Sequence, residues 1–396
     1  MIRLVVKPGR EESVLRRHPW LFSGAVARTE GDGADGIAEI ADVGGRSLAH
    51  GAYSPDSQIL ARLWTFDGRV PDAALFSERF AAARRLREET IDESTTGFRA
   101  VHSEGDRCPG VVLDVYGETA VLELLTGGTE TWAASLEQAA RDVFAPGELL
   151  VRRSGEARDR GRKENPSPPG GRKGEVEGEA RRVPFLESGL HFVADVGAGQ
   201  KTGFFLDQRE NRSRLRALAH GKTVLNLFSY SGAFSVAALA GGAGRAVDVD
   251  TSSDALELAR EHRQLNGFAA SAGDFVEADV FEEVRRRSAA KEQWGVVVCD
   301  PPAFAKKRSD VDRAARGYKD VNRVAMSLVA PGGWLLTCSC SGQVDADLFQ
   351  KIVFAASLDA GVPFSIAARQ GAGPDHPVSL DCPEGEYLKG LWLRRA

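Results

Sequence analysis

Residues 224–234 read VLNLFSYSGAF. Apolar residues flank a single asparagine in a short buried-strand pattern, a polar turn follows, and an apolar run resumes from Ala233. A strand that turns sharply into a helix is the opening unit of a parallel α/β sheet, whose ligands bind beyond the carboxyl ends of the strands. The dinucleotide version of this turn carries G-x-G-x-x-G, because glycines let the backbone approach a pyrophosphate. Here Asn226 and Phe228 hold the strand end, Ser229 and Tyr230 follow, and only Gly232 lies in the turn, so a pyrophosphate cradle is poorly supported.

Outward from this stretch the texture is uniform. Strand-like runs at KTVLNLF, RAVDVD, GVVVCD and GWLLTCS alternate with helical patterns such as SSDALELAREHRQLNG, which implies a doubly wound, mostly parallel sheet over 185–396. The front of the chain differs. Residues 1–70 carry short strand-like runs broken by glycines, a small β-barrel pattern, and 71–184 read as a separate α+β unit. Three parts suit 396 residues, too many for one core. The chain has no apolar stretch near the ~18 residues of a membrane span and opens without the apolar region of a signal peptide. Its five cysteines make no disulfide framework, so a cytoplasmic protein is expected. The net charge of −5 argues against nonspecific nucleic-acid binding, yet 152–173 hold eight Lys/Arg against three Asp/Glu, a flexible basic loop or a solvated insertion.

The sheet pattern ends its strands in acids. AVDVDTSSDALELA (246–259) closes with Asp250, placed to take both ribose hydroxyls of a nucleoside such as S-adenosylmethionine, while Ser252 suits a helix cap. Asp248 lies earlier and reads as structural. VEADVFEEV (276–284) places Asp279 at another strand end, where its carboxylate could accept the exocyclic amine of adenine. VVVCDPPAF (296–304) delivers Asp300 into Pro301 and Pro302, a rigid turn able to hold a planar base by its edge while Phe304 stacks. GAGQKTGFFLDQRENRSR (197–214) is too patterned for a linker and reads as a ligand-covering segment, with Lys201 or Arg209 available for a carboxylate, or as a capped helix start.

LLTCSCSG (335–342) places Cys338 and Cys340 on one side of a strand as it ends. Packing, metal ligation and nucleophilic chemistry are the readings. Zinc is disfavoured, since no C-x-x-C or histidine cluster completes four ligands, and no metal is expected. Cys299, inside an apolar strand, reads as core. The loop 306–320 offers Lys306, Lys307, Arg308, Arg316 and Lys319 to phosphates, and His376 in DHP is a further candidate base.

These pieces together resemble the RlmI-type family of S-adenosylmethionine-dependent large-subunit ribosomal RNA cytosine methyltransferases, which carry an N-terminal PUA domain. GQKTGFFLDQREN, VLNLFSYSGAFS, VEADVF, DPPAF, RGYKDVN, TCSCSG, LFQKIV and PEGEYLKG carry the match in order, and HPWLFSG and GAYSPDSQILAR resemble the PUA part. The resemblance implies a Rossmann-like class I methyltransferase domain behind a PUA-like barrel and the α+β part. It implies donor contacts from Gln200, Lys201, Thr202, Gly203, Phe204, Asp207 and Arg209 and from the 226–232 turn. Asp250 with Ser252 would hold the ribose, and Asp279 with Val280 the adenine. Cys340 would be the nucleophile and Asp300 the base-holding acid, with Pro301, Pro302, Phe304 and Lys319 at the substrate. A thiolate adding to carbon 6 makes carbon 5 of cytosine enamine-like and able to take the methyl group. Lys319, folded back, would supply a cation beside the thiol. Where wider RNA 5-methylcytosine enzymes read D-P-P-C, this chain has Ala303, which leaves product release without its second cysteine. The partner implied is large-subunit ribosomal RNA, with no membrane and with a homodimer among the possible assemblies. A guanine nitrogen methyltransferase of the same fold, or an RNA-binding assembly factor without turnover, remains open.

Overall fold

The computed structural model describes residues 1–32, 36–153, 181–197, 202–305 and 307–396. Most of the basic stretch, with Gln200, Lys201 and Lys306, lies outside the described residues. The chain forms two compact units. One comprises Met1–Phe185, Ala194–Leu206 and Pro374–Gly385, and the other Leu186–Val193, Asp207–Gly373 and Glu386–Ala396.

The first unit contains a six-stranded sheet from β1 (Ile2–Val6), β2 (Trp20–Phe22), β3 (Val26–Glu30), β4 (Ile37–Ala41), β5 (Ser47–Tyr53) and β6 (Ile59–Thr65), in the order β2-β6-β5-β4-β1-β3. Leu4, Val6, Leu21, Ile40, Ala49 and Leu63 close its core. A four-stranded sheet follows, β7 (Gly97–His102), β8 (Val111–Tyr116), β9 (Thr119–Leu124) and β10 (Glu148–Arg153), in the order β10-β9-β8-β7. Helix Ala133–Phe144 makes the crossover that the parallel β9–β10 pair requires. Helix Ala73–Thr90 packs with it, its first turn capped by Asp72, which accepts from Leu75 N at 2.8 Å. Trp64 from β6 sits edge-on to Phe76 and Trp132, at centroid separations of 5.1 and 5.4 Å, so the barrel's last strand is part of the second sheet's core. A ribbon of β11 (Arg182–Glu187) and β12 (Leu190–Asp195) lies where the chain passes between units.

The second unit is built on a seven-stranded sheet: β13 (Thr223–Leu227), β14 (Arg245–Asp250), β15 (Phe275–Glu277), β16 (Trp294–Cys299), β17 (Val329–Ser339), β18 (Phe364–Gln370) and β19 (Lys389–Arg395), in the order β15-β14-β13-β16-β17-β19-β18. The first five strands are parallel, and β19 runs antiparallel between β17 and β18. Both faces are covered, which is why the strands read as continuous apolar runs. Leu225, Leu227, Val247, Val249, Val297, Cys299 and Leu335 fill one face, and Val224, Ala246, Val296, Val298, Leu336, Cys338 and Trp392 the other. The order reverses between β13 and β16, the switch point where open α/β sheets bind ligands.

Candidate functional site

Register sets the strand ends level. Leu227 pairs with Val249 and with Cys299, and Cys299 pairs with Thr337. Phe228, Asp250, Asp300 and Cys338 therefore stand one residue further along four neighbouring strands, on the carboxyl edge of the sheet. At the switch point the β13 turn is left-handed three times in five residues, with φ of 57° at Phe228, 46° at Tyr230 and 70° at Gly232. Such a backbone costs of order 1–3 kcal/mol at each residue other than glycine and is held only by surrounding contacts. Asp250 supplies one: its carboxylate accepts from Tyr230 N at 2.8 Å and from Ser252 N at 3.0 Å. Each oxygen keeps a further acceptor site for a ligand hydroxyl. Ser252 itself caps helix Ser253–Leu265, accepting from Ala255 N at 3.3 Å.

Below the turn lies a buried polar network that the motif alone does not disclose. Asp248, fully buried, accepts from Asn226 at 2.8 Å, Ser235 at 2.6 Å and Arg263 at 2.7 Å. Burial nevertheless holds its carboxyl above the usual range. Asn226, expected at the ligand, thus spends its amide on Asp248. His262 donates from Nδ1 to the carbonyl of Ser231 at 2.9 Å and accepts at Nε2 from Val193 N at 3.0 Å, pinning the turn from beneath. At β15, Asp279 is exposed and caps helix Val280–Ala289 through Glu282 N at 3.0 Å, while the Val280 side chain joins the core.

At β16, Asp300 accepts from Gln208 Nε2 at 2.8 Å. Gln208 in turn accepts from Asn211 at 2.7 Å, and Asn211 from the Trp392 indole at 2.9 Å. The DQREN stretch thereby reaches Asp300 through a relay rooted in β19. Asp207 accepts from the Tyr387 hydroxyl at 2.6 Å, and Arg209 is buried beside Glu210. Pro301 is buried and Pro302 exposed. Phe304 packs on Tyr318 at 4.6 Å between centroids and continues through Phe281 to Phe228 at steps of 6.1 and 6.2 Å. Gly317 permits the Phe304 contact: a Cβ there would stand 3.3 Å from the ring.

The two cysteines part company at the end of β17. Cys338 is fully buried, and desolvation with Asp300 nearby pushes its thiol well above the ordinary range. Cys340 follows the strand's last residue and is half-buried. Its neighbours are fixed. Ser339 donates to the Tyr318 hydroxyl at 3.0 Å, the Ser341 and Tyr318 hydroxyls lie 2.9 Å apart, and Ala305 N donates to Ser341 at 3.2 Å. Lys389, opposite Ser339 in the β17–β19 register, donates from Nζ to the carbonyl of Ser341 at 2.7 Å. Lys319 does not fold back toward the thiol: its ammonium pairs with Asp359 at 2.7 Å, because helices Val311–Ser327 and Ala346–Ala360 pack together.

Thr202, Gly203 and Phe204 belong to the first unit. Thr202, fully buried, donates to Asp114 and lies 2.9 Å from the Tyr116 hydroxyl, and Phe204 stacks edge-on to Phe185 at 4.9 Å. His376 is buried in the same unit, 3.0 Å from Asp375 and with its ring 4.9 Å from His102, a setting for packing rather than for a solvent-facing base. Among the described residues, His18, Cys382 and Glu384 bring three ligand-type atoms together. Trp20 N donates to His18 Nδ1 at 3.1 Å, which leaves the proton on Nε2, 3.4 Å from Glu384, and burial pushes the Cys382 thiol up to about 12.

Comparison with known proteins agrees with this architecture. A PUA-like domain family matches residues 4–66, and an S-adenosylmethionine-dependent methyltransferase family matches residues 176–362. The chain is 43% identical over 399 residues to ribosomal RNA large subunit methyltransferase I of Klebsiella pneumoniae strain 342, covering 99% of this chain and 98% of that one. It is also 43% identical to the protein of the same name from Escherichia coli strain K12, over 99% of both chains. In fold it matches SMU.776, solved with SAH bound, at a TM-score of 0.83 and 22% identity over the whole of both chains. A strand-end carboxylate at a phosphate-free turn on the switch point fits S-adenosylmethionine as methyl donor. With its PUA-like barrel followed by a class I methyltransferase domain, the chain belongs to the ribosomal RNA large subunit methyltransferase I family.

Proposed function

We propose that the chain transfers a methyl group from S-adenosylmethionine to carbon 5 of a cytosine in large-subunit ribosomal RNA, through a covalent adduct on Cys340. The observation that carries this reading is the half-buried Cys340 at the carboxyl edge of the sheet that presents Asp250 and Asp300. In that reading Asp250 holds the donor ribose, Asp279 reaches the adenine, and the 207–209 segment and 228–232 turn contribute the remaining donor contacts. The Cys340 thiolate adds to carbon 6 of the base, which Asp300 holds by its edge against Phe304 and the Pro301–Pro302 turn. Carbon 5 then takes the methyl group from the sulfonium, which leaves as a neutral thioether. A base removes the carbon-5 proton and the thiolate departs. Relatives named for ribosomal RNA and the barrel at 1–70 support an RNA substrate gripped in part by the first unit. A reducing cytoplasm would keep the free thiols available.

The test is RNA carrying 5-fluorocytosine, in which fluorine blocks proton removal and traps the adduct. Wild type and Cys338→Ser should form it, and Cys340→Ser should not, while donor binding survives in all three. Cys338→Ser should cost on the order of 1–3 kcal/mol of stability for its buried hydroxyl. An adduct that persists in Cys340→Ser would move the nucleophile elsewhere. Full methyl transfer by the double mutant would favour a nitrogen-methylating enzyme.

A further inference from the structure

The site description leaves one buried cation unexplained. Lys389 is 8% exposed at the start of β19, in a chain region where the partner strand is apolar. A buried ammonium is expensive unless it is paired and hydrogen-bonded. Its one described hydrogen bond goes to the carbonyl of Ser341, the residue after Cys340, at 2.7 Å. Burial lowers its ammonium from the ordinary value, and Cys340, then Glu386 and Asp345, act in the opposite direction. Cys340 is faced in addition by the Tyr318 hydroxyl, from helix Val311–Ser327, and by Cys338 on its own strand, with Asp300 acting on Cys338. Tyr318 and Cys338 are both pushed toward their neutral forms by burial, so neither opposes a negative sulfur with a charge of its own.

We infer that Lys389 is the positioning residue that supplies the positive charge stabilising a Cys340 thiolate, while its hydrogen bond to Ser341 holds the thiol's backbone in place. On ionisation the S–H bond breaks, its proton passes to solvent, and the ammonium stays protonated beside the sulfur. This rests on the nucleophile assignment proposed above. Three constraints then converge on one residue. Ser339 and Ser341 are tied to Tyr318 and Ser341 is tied to Lys389, so the backbone on both sides of Cys340 is held. An opposite charge within about 4–6 Å favours the charged form by roughly 1–3 pH units, whereas an unperturbed cysteine ionises near about 8.5.

The experiment needs no RNA. The rate at which Cys340 is alkylated by iodoacetamide is measured against pH in the full-length protein, with the modified peptide identified by mass spectrometry. The other four cysteines are buried and serve as internal controls. Wild type should react with a midpoint below the ordinary cysteine value. Lys389→Met, which keeps the apolar stem, should raise that midpoint by about one unit or more. Lys389→Arg should restore most of the shift. Retained donor binding by each variant shows that the fold is intact. An unchanged profile in Lys389→Met, an equal shift in the Met and Arg variants, or a wild-type thiol that ionises like an ordinary cysteine would each overturn the assignment. A wild-type protein that forms no 5-fluorocytosine adduct at Cys340 would sink the cytosine reading separately, whatever the alkylation profile says.

Discussion

At the scale of single residues, Asp250 has the heaviest duty. It accepts two backbone N–H groups that keep the turn in shape, and it is the carboxylate proposed to hold the ribose. Removing it should therefore act twice. Asp250→Ala should lower donor affinity by at least roughly tenfold, since hydrogen bonds to a charged group contribute about 1.5–3 kcal/mol. Asp250→Asn retains an acceptor for one backbone donor and should fall between. Calorimetric titration reads both, and unchanged binding by folded Asp250→Ala would place the ribose contact on another side chain. Asp248, two residues earlier on the same strand, is the contrast. Its partners Asn226, Ser235 and Arg263 are all protein groups, so its loss belongs to stability. The two acids share one face of the strand and divide the work by depth: Asp248 is buried within the sheet, and Asp250 stands at its carboxyl end.

At the scale of elements, the turn joining β13 to helix Ala233–Ala240 is the most demanding piece of backbone in the second unit. Gly232 carries φ of 70°, and a Cβ there would meet the Ala259 Cβ at 2.7 Å and Asp248 Oδ2 at 3.3 Å. Gly232→Ala should cost at least ~1–2 kcal/mol from the left-handed conformation alone, seen as a lowered Tm and reduced rescue by the donor. A mutant as stable as wild type would mean that the helix can shift away from its neighbour. The strand–turn–helix unit was legible because local period and turn chemistry announce it. So were the strand-end acids and the difference between Cys299 and Cys340. What could not be read was partnership across the sheet. Lys389 faces Ser341, and Gln208 faces Asp300, only through strand register and helix placement over long separations in sequence. Lys319, expected to fold back as the cation, is given instead to Asp359 by helix packing. Polar residues such as His262 and Asp114 carry no motif of their own, and their roles emerge when Ser231 and Thr202 arrive beside them.

At the scale of the whole molecule, the first unit constrains how RNA capture can be tested. Cutting the chain after residue 70 would remove Trp64 from its contacts with Phe76 and Trp132, and losing a buried aromatic costs about 3–5 kcal/mol. A fragment 71–396 should therefore melt earlier or aggregate, by light scattering and calorimetry, and a soluble fragment of unchanged Tm would show the barrel to be independent. The same unit should respond to mild acid. Burial, with Arg99, His376 and Arg87 nearby, holds the His102 imidazole well below its ordinary value, with Asp375 opposing, and burial also lowers His50. Both are neutral when folded, and in the unfolded chain both take up protons as pH falls through about 6.5. The unfolded state then binds more protons, so stability falls with falling pH. The loss starts near the unfolded value and continues down to the folded one, at up to about 1.4 kcal/mol per histidine per pH unit. Carboxyls act in a lower window. Asp72, held down by its bond from Leu75 N, and Glu283, held down by Arg286, lose their contribution only as pH drops below their unfolded values near 3.8 and 4.5. Urea unfolding of the full-length protein between pH 7 and 5 should thus show a falling midpoint, and His102→Gln should flatten that slope even if it lowers the midpoint at pH 7. A slope unaltered by His102→Gln would assign the acid sensitivity to other groups.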